Sequence, residues 1–300
     1  MAPVPGPPMP ELRIEVGDVT VLVDRKHAAL GTELGEAAGR VRDWFGLGRL
    51  DLGELVLVVV SDTGAFRGWS RGRVPAWGAG LTLPGSRLVV VRVDAGDPLG
   101  TLWHELAHVA LHQQVRGRVP LWFDEGYAVL AAGEYGRLAG LQLNLSVASG
   151  RVPTLRALDG ALRGSSGDAE EGYALAGSAV SYLARRHPSG SLVPLMDRLK
   201  AGVPFDEAVL ATTGLNEDRF DEAWHREVRK RYNWLIWLAT GGAWLIVTLL
   251  LGWAAAWRRH RDAPRRAALN EGWVIEEPDN EEITTAEQPS NRLDRADYGG

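Results

Sequence analysis

No cysteine occurs among the 300 residues, which excludes a disulfide scaffold, a thiolate-ligated zinc site and a cysteine nucleophile. Lysine is nearly missing too: Lys26, Lys200 and Lys230 stand alone, so arginine carries the basic charge. The chain also lacks a basic surplus. Its formal net charge is −5 and its pI about 5.9, which argues against a nucleic-acid partner, since such a partner would need a basic face. The opening MAPVPGPPMPELRIEV has neither the basic n-region nor the apolar h-region of a signal peptide. There is no internal repeat. What remains is ordinary for a folded protein: 45 % hydrophobic and 24 % charged residues rule out wholesale disorder and allow one large domain or two smaller ones.

Residues 1–10 form a Pro-rich, extended leader. In the segment 11–23, ELRIEVGDVTVLV, two short strands are expected about Gly17-Asp18. An amphipathic helix is expected over 27–45, a buried strand over Leu55–Val60, an irregular loop over 62–80, and a strand pair about Pro84-Gly85. After residue 97 the pattern turns helical. Asp97 suits an N-cap and Pro98 the first helical position, and that helix should reach Gln114. A second follows Pro120 and stops at Gly133. Further helices are expected over 172–187, 190–201, 204–213 and 217–232. The organisation is thus an α/β half over 11–97, a helical half over 98–232, and a polar, disordered tail over 258–300.

The chemistry lies in the first of those helices, in His104-Glu105-Leu-Ala-His108. Histidines four apart share one helix face, so both imidazoles can reach one ion. Glu105 stands about 100° round from His104 and can hold a water on that ion. Neutral imidazole suits Zn²⁺, and an open fourth position makes a zinc site catalytic. The plain alternative, a core helix with two incidental histidines, would bury unpaired imidazoles at a cost. His112 continues the same face but lies too far along the axis to join His104 on one ion, and reads as a partly exposed or supporting residue. A third ligand is available in Pro120-Leu-Trp-Phe-Asp124-Glu125-Gly126-Tyr127-Ala128. The short connection makes the two helices antiparallel neighbours, and Glu125 in the first turn would complete a His₂Glu site. The competing reading of Asp124-Glu125 is a pair of acids favoured by the helix dipole.

HELAH followed by PLWFDEGYA resembles the gluzincin metallopeptidases, in particular the peptidase MA-like domains. The resemblance is sharpest over 99–132 and extends over about 12–232. It implies an α+β, zincin-like fold, zinc ligands His104, His108 and Glu125, Glu105 as general base, one Zn²⁺ per chain, and a peptide or protein substrate. It also makes Tyr173, in Glu171-Gly172-Tyr173-Ala174, a candidate donor to the oxyanion; a helix-start aromatic of the core is the alternative. Ala76-Trp-Gly-Ala-Gly-Leu-Thr82 falls where such enzymes lay their substrate along a sheet edge; a plain hairpin is the alternative. A competing function is a non-catalytic, zinc-containing membrane scaffold; an intact Glu105 argues against it, since only catalysis needs that residue.

From Trp234 to Trp257 the chain runs WLIWLATGGAWLIVTLLLGWAAAW without a charge. A helix of that length would cross a hydrocarbon core of about 30 Å, with tryptophans at both ends as interfacial belts. The expectation is therefore a single transmembrane helix over 234–257, with the lipid bilayer as a partner. Basic residues flank it equally. The resemblance and the cluster Arg258, Arg259, Arg261, Arg265 and Arg266 favour the peptidase domain outside the cytoplasm and the tail inside, although export normally needs the signal peptide that the opening does not show.

Overall fold

The computed structural model describes residues 9–71, 75, 77–83, 85, 87–135, 143, 146–147, 150, 152–232 and 242–271. They fall into two units, 1–240 and 241–300.

The first unit opens with the expected hairpin, β1 (Leu12–Val16) and β2 (Val19–Val23), antiparallel about Gly17, whose φ of 58° suits the turn. Helix α1 (Ala28–Ala38) is followed by a small hairpin, β3 (Arg42–Trp44) and β4 (Gly48–Leu50), then by β5 (Leu55–Val60) and α2 (Thr63–Ser70). Strands β6 (Gly80–Leu83) and β7 (Leu88–Arg92) complete a five-stranded sheet of order β1-β2-β5-β7-β6. β2, β5 and β7 run parallel, and the two outer strands are antiparallel to their neighbours.

The unbroken apolar run of β5 has a physical cause. Leu55, Leu57 and Val59 enter the main core, while Val58 and Val60 join Phe66, Leu81 and Val90 in a second cluster on the other face. A strand buried on both faces has no polar alternation to show. Two expectations change here. The helix expected over 27–45 ends at Ala38, and Arg42–Trp44 turns into a strand paired with Gly48–Leu50, the link passing through Gly46 at φ 72°. The loop expected over 62–80 contains α2, whose N-cap Asp62 accepts a hydrogen bond from Ala65 N at 2.9 Å.

The helical half follows. It comprises α3 (Pro98–Gln114), α4 (Leu121–Ala132), α5 (Leu155–Leu162), α6 (Ser166–Arg186), α7 (Val193–Lys200), α8 (Phe205–Thr213) and α9 (Glu217–Tyr232). Helix α3 packs on β6, β7 and α1, and α4 fills the space between α3 and α6. Mixed sheet and helical half together agree with a zincin-like fold.

In the second unit, α10 (Ala243–Glu271) carries the latter part of the long apolar run. Among the described residues the uncharged helical stretch is Ala243 to Trp257, 15 residues, about 22 Å of helix against a hydrocarbon core of about 30 Å. Arg258, Arg259 and Arg261 then follow within the same helix. Among the described residues no helix is long and apolar enough to cross a membrane. The transmembrane helix expected over 234–257 is corrected accordingly, and with it the single-pass localisation with the domain outside and the tail inside. Residues 234–241 of that run lie outside the described residues, as do 1–8 of the Pro-rich leader and 272–300 of the tail; Arg258–Glu271 of the tail belong to α10.

Candidate metal centre

Asp97 caps α3 by accepting from Gly100 N at 3.0 Å, with Pro98 at the first position. This fixes where the helix starts and so which face bears His104 and His108. Their ring centroids lie 5.1 Å apart. Helix α4 has Pro120 at its N-cap, which offers no capping side chain. Asp159 of α5 supplies the cap instead, accepting from Trp122 N at 3.0 Å. Asp221 of α9 serves the start of α5 in the same way, accepting from Leu155 N at 3.0 Å. Borrowed caps of this kind satisfy helix-end donors and hold the first turn of α4, with Asp124 and Glu125, against α3.

Glu125 Oε2 sits 3.4 Å from His104 Nε2 and 3.5 Å from His108 Nε2, and one donor atom from each of the three residues lies within 4.8 Å of the others. Ligands about 2.0–2.1 Å from a tetrahedral zinc are roughly 3.3 Å apart. The spacing and the two-imidazole, one-carboxylate chemistry therefore fit such an ion.

The outward nitrogens of both imidazoles are also engaged. His108 Nδ1 lies 2.7 Å from Asp124 Oδ1, and Asp124 Oδ2 lies 2.8 Å from His112 Nε2. His112 is thus a support to Asp124, as its position along the axis led us to expect. His104 Nδ1 lies 3.2 Å from Glu134 Oε2. Glu134 carries no motif in the sequence and was not anticipated. Nor was Thr82, whose hydroxyl is 2.9 Å from Glu105 O and 2.7 Å from Glu105 Oε2. The one sequence signal for Thr82 was its place on the strand expected to border the substrate.

Electrostatics follow from the burial of these groups. Burial opposes protonation of His104, but hydrogen bonds to Glu125 and Glu134 outweigh it and push its pKa up to about 10. His108 is raised as well, Asp124 and Glu125 overcoming its burial. Burial works against ionisation of Glu125, yet the two histidines hold it down to about 2. The same contest lowers Asp124. Glu105 moves the other way: desolvation dominates and raises it. The carboxylates thus favour protons on the two imidazoles, and a divalent cation would compete with those protons.

The site opens into a cleft of about 590 Å³ whose lining includes Trp77, Gly80, Thr101, Glu134 and Tyr173. Strand β6 forms one border and is an edge strand of the sheet among the described residues. A Cβ at Gly80 would stand 2.5 Å from Glu105 Oε1 and 2.7 Å from Thr101 Cγ2, so only glycine lets the strand lie this close to the Glu105 carboxylate. Tyr173, on α6, meets His104 edge to face at 5.9 Å between centroids, and burial raises its hydroxyl pKa. All five residues singled out from the sequence, His104, Glu105, His108, Glu125 and Tyr173, thus meet at one place.

Residues 74–230 match the family model of the peptidase MA superfamily. No curated protein matches the chain.

Proposed function

The chain belongs to the peptidase MA superfamily, and from that premise we propose that it is a gluzincin-type zinc metallopeptidase, cleaving peptide or protein substrates in the cleft beside β6. The observation that carries this reading is the convergence of one ligand atom each from His104, His108 and Glu125 within 4.8 Å, with Glu105 on the next face of the same helix. His104, His108 and Glu125 would hold one Zn²⁺ per chain, which supplies Lewis-acid polarisation of the scissile carbonyl and a more acidic water.

The side chains of this protein do the rest. Glu105 accepts the proton of the attacking water and hands it to the leaving amine nitrogen. Its desolvated carboxylate is a stronger base than a solvated one, and the Thr82 hydroxyl holds Oε2, leaving Oε1 for the proton. Tyr173 keeps its phenolic proton because its pKa is raised, and donates it as a hydrogen bond to the oxyanion that develops during attack. The outer strand β6 lends backbone hydrogen bonds to an extended peptide, and the bare Gly80 lets that peptide approach Glu105.

Metal analysis and peptide-library turnover test the reading together. The wild type should hold one zinc and cleave. His104→Ala should lose the metal. Glu105→Gln should keep it and lose about two to four orders of magnitude in kcat, because the amide cannot accept the proton. Equal turnover by Glu105→Gln and wild type would refute the mechanism.

A further inference from the structure

The geometry points to Glu134 as a positioning residue that sets the tautomer and the aim of His104. The inference rests on the zinc reading above. An imidazole offers one lone pair only when its other nitrogen carries the proton, so a ligating histidine needs an acceptor behind it. His104 has one. Its Nδ1 faces Glu134 Oε2 at 3.2 Å while its Nε2 faces Glu125 at 3.4 Å. His108 is held in the same manner, Nδ1 on Asp124 at 2.7 Å and Nε2 toward Glu125 at 3.5 Å. The two carboxylates come from opposite ends of one helix. Asp124 lies in the first turn of α4, and Glu134 just past its last residue. Because α4 runs antiparallel to α3, the early acid meets the later histidine and the late acid the earlier one.

Glu134 is delivered by a defined turn. Gly133 closes α4 in the left-handed region at φ 81°, donating to Leu130 O at 3.1 Å, and Glu134 N donates to Val129 O at 3.0 Å. A side chain at residue 133 would be strained there. The next residue, Tyr135, is seated on α6, where a Cβ at Gly177 would come within 2.8 Å of Tyr135 Cδ2. Glycines on both sides of this contact therefore bring Glu134 to the ring. Its side chain is 21 % exposed, so its charge is screened less than that of a surface carboxylate.

The test uses the full chain with Zn²⁺ alone as ligand, its Kd read by competition with a chromophoric chelator, and the visible spectrum after Co²⁺ substitution. Glu134→Ala should weaken zinc about 10- to 100-fold and shift the cobalt bands. Glu134→Gln, which can still accept from Nδ1–H but without charge, should lose less than the alanine variant and guards against a folding defect. Zinc affinity within about twofold of wild type in both variants would overturn the proposal, and a raised KM would then make Glu134 a substrate contact. Failure of the wild type to take up zinc, or retention of zinc by His104→Ala, would instead overturn the zinc reading itself.

Discussion

Gly126 follows Glu125 directly, and its lack of a side chain sets how closely α4 approaches α6. A Cβ there would press into the backbone carbonyl of Ala176 and stand 2.8 Å from Val180 Cγ2. Val180 could rotate, but the Ala176 carbonyl belongs to a helix and cannot move without it. Overpacking in a filled core costs about 1–3 kcal/mol, and a backbone obstacle places Gly126→Ala near the upper figure. Alanine's better helix propensity returns about 1 kcal/mol. The net expectation is a loss of about 2 kcal/mol, which for a unit of this size lowers Tm by roughly 4–8 °C. Gly160 in α5 provides the matched control, since nothing lies within 4 Å of a Cβ built there. Gly160→Ala should gain the propensity term alone, raising Tm by about 2–4 °C. Thermal unfolding followed by circular dichroism in the presence of a chelator reads both. The displacement of α4 should also carry Glu125 away from the histidines, so Gly126→Ala should bind zinc more weakly than wild type. A Gly126→Ala protein melting at or above the wild type, or a Gly160→Ala protein losing as much, would refute the packing argument.

Glu125→Gln should weaken zinc by about tenfold or more and Asp124→Asn by less, since the first removes a charged donor to the ion and the second only a carboxylate behind His108; the reverse order in chelator competition would exchange their roles. Thr82→Val should leave zinc binding intact and lower kcat severalfold, because Glu105 loses the hydroxyl at Oε2; an unchanged kcat would remove Thr82 from the machinery. The pH dependence of the metal-free protein is also set by the site. His104 is raised from 6.5 to about 10, so the stability it contributes is fully present below about pH 6.5 and is lost as pH climbs toward 10. Glu125 is lowered from 4.5 to about 2, so its contribution is present above about 4.5 and disappears as pH falls toward 2. Urea titrations in chelator should therefore find the highest stability between those limits and a decline above pH 6.5. Zinc affinity should rise over that same alkaline range as the competing protons leave; an affinity independent of pH would contradict the competition between proton and metal.

Local regularity made much of the centre legible. The spacing of His104 and His108 places both rings on one helix face whatever surrounds them, and Asp97-Pro98 marks where that helix begins. Pro120, Gly133 and the brief link between α3 and α4 were enough to put Glu125 opposite the histidines. Strands β1, β2, β5, β6 and β7 also announced themselves through turn residues and unbroken apolar runs. Other features depend on partners remote in sequence, and no period or motif encodes those. Glu134 reaches His104 across 30 positions, Thr82 reaches Glu105 across 23, and Asp159 caps α4 across 37. The helix expected over 27–45 took in Val41, Trp44 and Phe45, yet pairing with Gly48–Leu50 drew Arg42–Trp44 into a strand. The apolar run ending at Trp257 shows the converse limit. Sequence determined that the run is long and uncharged; among the described residues no helix is long and apolar enough to cross a membrane, because crossing demands continuous apolar helix and not merely a count of apolar residues.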